Sequence, residues 1–193
     1  MKNVSMSNDM TSKIQIPSRE GELAMHYFDG EGKESPTIIF LHDSLGCIQT
    51  WRDFPKALAR LTSCNYLVYD RLGYGDSSYD PNALNRDKGY LENEADVLLS
   101  IIHELGIRQT ILFGHSDGGS IALIAASKGQ DKVQGLIAEA AHIFVEDITL
   151  EGIRQAKQNF YHGELRKRLY KYHGLKVDEV LGSWADTWLS EDF

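Results

Sequence analysis

The run TILFGHSDGGSIALIAAS, residues 110–127, decides how this chain is read. Its first four residues are apolar and rich in β-formers, as a strand buried on both faces requires. From Ser120 onward the residues are good helix formers, apolar on most sides. The join is Gly114-His115-Ser116-Asp117-Gly118-Gly119. To lift a hydroxyl above the end of a sheet, the backbone must turn sharply between strand and helix and hold the serine in a strained conformation. Residues two before and two after must then be small, and both are glycine. The corner also puts Ser116 at a helix N-terminus, where free N–H groups and the helix dipole favour developing negative charge. With glycine and serine each near 7% of residues, G-x-S-x-G should occur by chance about 0.06 times in a chain this long. The strand before it and the helix after it add weight.

Short apolar runs alternate with helical patterns on both sides of that corner. Thr37 to Leu41 (TIIFL), Asn65 to Tyr69 and Val133 to Ala138 read as further strands. Ile14 to Ile16 and Leu23 to Phe28 read as two more, joined by a turn at Glu20-Gly21. Trp51, Phe54, Leu58 and Leu61 recur at steps of three and four and predict a helix over about 50–62. Leu91, Ala95, Leu98, Leu99, Ile102 and Leu105 predict another, stopped by Gly106, and a third spans about 118–128. The fold class expected is α/β: a mostly parallel, doubly wound sheet of about six strands. After Glu146 only helical periods remain, through Leu150, Ile153, Phe160, Leu165, Leu169, Tyr172, Val177, Leu181, Trp184 and Trp188. The division expected is a core over 1–146, with residues 1–12 as a loose tail, and a helical cap segment over 147–193.

Composition narrows the classes of function. A net charge of −8 argues against a general polyanion-binding surface, and the basic run Arg166, Lys167, Arg168, Lys171 has no aromatic stacking platform beside it. No nucleic-acid partner is expected. Apolar runs fall well short of the roughly 20 residues that cross a bilayer, so no membrane partner is expected either. Cys47 and Cys64 lack metal-ligand spacing and no secretory leader is legible, which points to a cytoplasmic setting. No metal and no nucleotide cofactor is indicated by spacing or motif.

Three segments in register resemble the α/β-hydrolase superfamily, in its small esterase-like branch. They are the corner at Ser116, the run His42-Asp43-Ser44-Leu45-Gly46 after TIIFL, and Asp70-Arg71-Leu72-Gly73-Tyr74-Gly75-Asp76-Ser77 after the fourth strand. The resemblance implies that Ser116 is a nucleophile attacking an acyl carbon. It implies that the backbone N–H groups of Asp117 and Ser44 receive the oxyanion, and that His42, Gly114 and Gly118 shape the surrounding loops. Asp43 departs from the family pattern, where glycine is usual. In the family the triad acid and histidine follow the seventh and eighth strands, and neither is found before Phe193, so a truncated chain is expected. His142, His162 and His173 are read as structural or surface residues, and His115 as a poor base for its own neighbour. Phe160, Tyr161, Trp184 and Trp188 are read first as packing between cap and core, second as an apolar lid.

The function expected is a serine hydrolase that cleaves a small ester, thioester, lactone or activated amide through an acyl-serine. The alternative is a non-catalytic ligand-binding or pseudoenzyme member of the fold. The sixth strand would form an apolar sheet edge, so a homo-oligomer or a complementing chain is expected there.

Overall fold

The structure is a computed structural model, and it describes residues 9–15, 21–32, 34–79, 84, 86–129 and 131–193. Six strands form one sheet: β1 (Asp9–Gln15), β2 (Glu22–Phe28), β3 (Thr37–Leu41), β4 (Asn65–Tyr69), β5 (Thr110–His115) and β6 (Val133–Glu139). Their order is β1-β2-β4-β3-β5-β6. The pairs β1–β2 and β2–β4 are antiparallel, and β4–β3, β3–β5 and β5–β6 are parallel. The mostly parallel sheet expected from the sequence is what forms.

One expectation fails at the N-terminus. Asp9 to Ser12 are not a loose tail but the first half of β1, paired with Met25 to Phe28. The segment is polar because an outermost strand needs little apolar surface, and that hid it from a search for periodicity. Residues 1–8 and the expected turn residue Glu20 lie outside the described residues.

Side-chain alternation splits the core into two layers. Ile39 and Leu41 of β3 join Leu67 and Tyr69 of β4 against two helices, α2 (Tyr90–Glu104) and α3 (Asp117–Lys128). Ile38 and Phe40 join Tyr66, Val68 and Phe113 on the opposite face, covered by α1 (Phe54–Thr62) and Trp51. Phe40 meets Trp51 and Phe54 edge-on and stacks on Phe113. Beyond Phe113 that second face is open. Its β6 neighbour Ile137 is 46% exposed, and Ile143, Phe144 and Ile148 just after the strand are also exposed.

After β6 come α4 (Asp147–His162), α5 (Leu165–His173) and α6 (Val177–Trp188). Phe160, Leu169, Val177 and Leu181 form their shared core, with Leu45 packed against it. Trp188 is buried and its Nε1 donates to Tyr90 Oη at 2.7 Å. Phe160 and Trp188 are thus packing residues, while Tyr161 faces solvent. The basic run is an outer surface, where Arg166 forms a two-pronged pair with Asp178.

Candidate active site

The corner between β5 and α3 has the geometry its glycines demand. Ser116 sits at φ 53°, ψ −121°, a region that costs a non-glycine residue about 1–3 kcal/mol. A Cβ on Gly114 would run into the carbonyl of Gly118, and one on Gly118 into the carbonyl of Leu41. The Ser116 N–H donates to Glu139 O at 2.8 Å, so β6 fastens the corner. Gly119 and Ser120 N–H donate to Ser116 O and start the helix. The Ser116 side chain does not cap α3, and among the described residues no side chain hydrogen-bonds its hydroxyl.

The loop after β3 is gripped from several sides. His42 is buried, its Nδ1 lies 2.7 Å from Asp43 O, and its Nε2 accepts the Arg71 N–H at 3.2 Å. Those contacts fix the neutral tautomer with the proton on Nδ1. Burial, with the Arg71 guanidinium beside it, holds this imidazole well below its ordinary range. Three successive carbonyls each have their own donor. Asp43 O accepts from Arg71 Nη2 at 2.8 Å as well as from His42. Ser44 O accepts from Tyr74 Oη at 3.1 Å, and Leu45 O from His173 Nε2 at 2.9 Å. In a planar trans peptide the N–H points opposite to the preceding C=O. Pinning the Asp43 carbonyl toward Arg71 therefore turns the Ser44 N–H away from it. No acceptor takes that N–H among the described residues.

Beneath the corner lies a buried charge cluster that motif reading missed. The Asp117 carboxylate is 3.4 Å from Arg71 Nη1 and 3.5 Å from Arg86 Nη1. Arg86 lies over the rings of Tyr90 and Tyr74 and donates to Tyr74 Oη. A buried aspartate beside the corner was a signal for a cation; nothing in the sequence marked Arg86 as one of them. The Asp70 motif is clearer. The Asp70 carboxylate accepts from Ile48 N–H at 2.6 Å and Asp76 N–H at 2.8 Å, and it fills the space a Cβ on Gly75 would need.

The expected histidines fall apart. His173 is buried, not solvated as its charged neighbours suggested. Its Nδ1 accepts from Gly75 N–H at 3.2 Å while Nε2 donates to Leu45 O. Burial lowers its pKa. His142 packs edge-on against Trp188, and His162 is exposed. His115 Nδ1 lies 3.5 Å from Asp43 Oδ2. Among the described residues, none of these rings hydrogen-bonds the Ser116 hydroxyl. Lys176 ties the cap to the same region by donating to the carbonyls of Tyr74, Gly75 and Ser77. Of the remaining described residues, no cluster of three or more His, Cys, Asp or Glu could hold a metal.

A strained serine between a parallel strand and a helix, with the carbonyls of Asp43, Ser44 and Leu45 each held by a side-chain donor, fits the alpha/beta hydrolase fold family. The chain belongs to it: residues 36–178 match the profile of the alpha/beta hydrolase fold. Over 115 residues the chain is 30% identical to the sn-1-specific diacylglycerol lipase ABHD11 of Mus musculus, covering 60% of this chain and 35% of that protein. Over 163 residues it is 29% identical to the serine hydrolase BPHL of Mus musculus, covering 81% of this chain and 53% of that protein. The chain thus spans between about a third and a half of these two relatives. A structure from a study of Nitrososphaera gargenis carboxylesterases superposes with a TM-score of 0.69 at 15% identity, covering 93% of this chain and 73% of that one.

Proposed function

We propose that this chain carries the nucleophile and oxyanion donors of a serine hydrolase acting on a small ester, thioester, lactone or activated amide. The observation that carries the reading is the Ser116 backbone at φ 53°, ψ −121°. Strain of this kind persists only where the surroundings over-determine it, and such residues cluster at functional sites. Ser116 Oγ would attack the acyl carbon, giving an acyl-serine as the alcohol, thiol or amine departs with the hydroxyl proton. The N–H groups of Asp117 and Ser44 would receive the oxyanion, each worth about 3 kcal/mol of transition-state stabilisation. The relatives named as a diacylglycerol lipase and a serine hydrolase support acyl-transfer chemistry.

A second reading, a non-catalytic ligand-binding member, is favoured by one observation. Among the described residues no imidazole hydrogen-bonds the Ser116 hydroxyl, and without a base a serine hydroxyl is a weak nucleophile. An enzyme lacking a triad member keeps about 10³-fold over water. A fluorophosphonate probe separates the readings: labelling abolished by Ser116→Ala supports the hydrolase, and no labelling of the native chain supports the binding protein.

The outer edge of β6 is the proposed contact with a second copy or a complementing chain, since among the described strands none pairs with it beyond β5 and Ile137 beside it is exposed. No described helix is long and apolar enough to cross a membrane. Cys47 and Cys64 are free and buried, and the cytoplasmic setting read from the sequence stays part of this proposal.

A further inference from the structure

One chain neighbour of Ser116 meets the loop residue Asp43, and the other holds the arginine that binds its carbonyl. His115 Nδ1 lies 3.5 Å from Asp43 Oδ2. Asp117, on the other side, holds Arg71 at 3.4 Å, and Arg71 Nη2 donates to the Asp43 carbonyl at 2.8 Å. Asp43 is therefore met at its side chain by His115 and at its backbone by Arg71, which Asp117 holds. Its other carboxylate oxygen accepts the Leu45 N–H at 2.8 Å, closing a turn around Ser44. The peptide inside that turn is Asp43–Ser44. We propose that Asp43 is a positioning residue: its carboxylate, held by His115, and its carbonyl, held by Arg71, fix the Ser44 N–H relative to Ser116. This rests on reading that N–H as an oxyanion donor.

The arrangement gives the carboxylate at this loop position two contacts that a smaller residue would not make. Glycine there would leave His115 without the loop contact and Leu45 N–H without its acceptor. It also makes the loop sensitive to protonation. His115 is faced by Asp43 and, across the β5–β6 pairing, by Glu139; Asp43 is faced by His115, by buried His42 and at longer range by His173. The contact with Asp43 raises the pKa of His115 above its ordinary 6.5. For Asp43, burial pushes upward, but the His115 contact and the Leu45 N–H prevail and bring it to about 2. The pair is charged below the raised His115 pKa and lost as pH rises through it.

Backbone-amide and imidazole NMR of the full chain from pH 5 to 9 tests the proposal. In the native protein the Ser44 amide should shift with the same midpoint as the His115 ring, above 6.5. In Asp43→Asn, which keeps an acceptor for Leu45 N–H, the His115 midpoint should fall and the Ser44 inflection should vanish. In His115→Gln, a change at a ring 41% exposed, the inflection should vanish as well. A native Ser44 amide indifferent to His115, or one that keeps its inflection in Asp43→Asn, would overturn the proposal. Phosphonate labelling adds a separate arm. If the native chain labels, Asp43→Gly should slow it about 10-fold, a part of the 10²–10³ typical for losing a donor outright, and an unchanged rate would count against the proposal. If the native chain never labels, the hydrolase reading fails while the amide titration still decides this one.

Discussion

Gly118 lies so close beneath Leu41 that a Cβ on the glycine would sit inside the contact distance of the Leu41 carbonyl oxygen. The first turn of α3 and the end of β3 are therefore in backbone contact, and neither can yield without moving the sheet. Gly118→Ala should destabilise the chain by about 1–3 kcal/mol, the usual range for overpacking. For a chain of this size that is a fall in Tm of about 2–4 °C per kcal/mol, read by calorimetry. An unchanged Tm would show that the corner is loose.

Ser116 itself stores strain. Replacing it by glycine, which adopts positive φ freely, should remove most of that cost. Glycine's greater freedom in the unfolded chain takes some of the gain back. Ser116→Gly should thus melt higher than the native chain, by about 1 kcal/mol, while losing all phosphonate labelling. A lower Tm would mean that the hydroxyl has a partner worth more than the strain.

The Arg71–Asp117–Arg86 cluster is buried, and breaking such a cluster from one side leaves uncompensated charge, at about 3–5 kcal/mol. Asp117→Asn removes the carboxylate that both guanidinium groups share and should cost more than Arg71→Met, which leaves Asp117 its contact with Arg86. Urea unfolding of the two variants checks the order.

Acid should weaken the fold in a window set by its buried imidazoles. His42 and His173 are both lowered from an ordinary 6.5, chiefly by burial. The unfolded chain then takes up protons before the folded one does, so stability is full above about 6.5 and is lost as pH falls toward the folded pKa values. Tm measured from pH 7.5 to 5 should decline, and His173→Gln should flatten part of that decline.

Self-association through β6 is open to light scattering. The native chain should grow in mean mass with concentration, and Ile137→Lys, which places a charge on the exposed outer strand, should return it to the mass of one chain. A native chain that stays monomeric at high concentration would remove this part of the proposal.

Wherever burial and period act together, the sequence was legible. TIIFL and TILF admit no reading but central strands, and the glycines around Ser116 are legible because steric exclusion is local. What stayed hidden depends on distant partners. His173 has charged neighbours in sequence, yet its ring is buried against Gly75 and Leu45, roughly a hundred residues away. Asp43 looked like a defect in a loop motif until His115 and Arg71 stood beside it. Asp9 to Ser12 carry no apolar stripe because β1 is an outer strand, and so they resembled a tail.

The corner that displays Ser116 takes its last backbone bond from Glu139, on the outermost strand of the sheet. The steadiness of the hydroxyl is thus tied in part to the outermost described strand. Fraying of β6 would reach the serine through that bond and through the β5 pairing that ends at His115, and whatever shields β6 would quieten the serine without touching it.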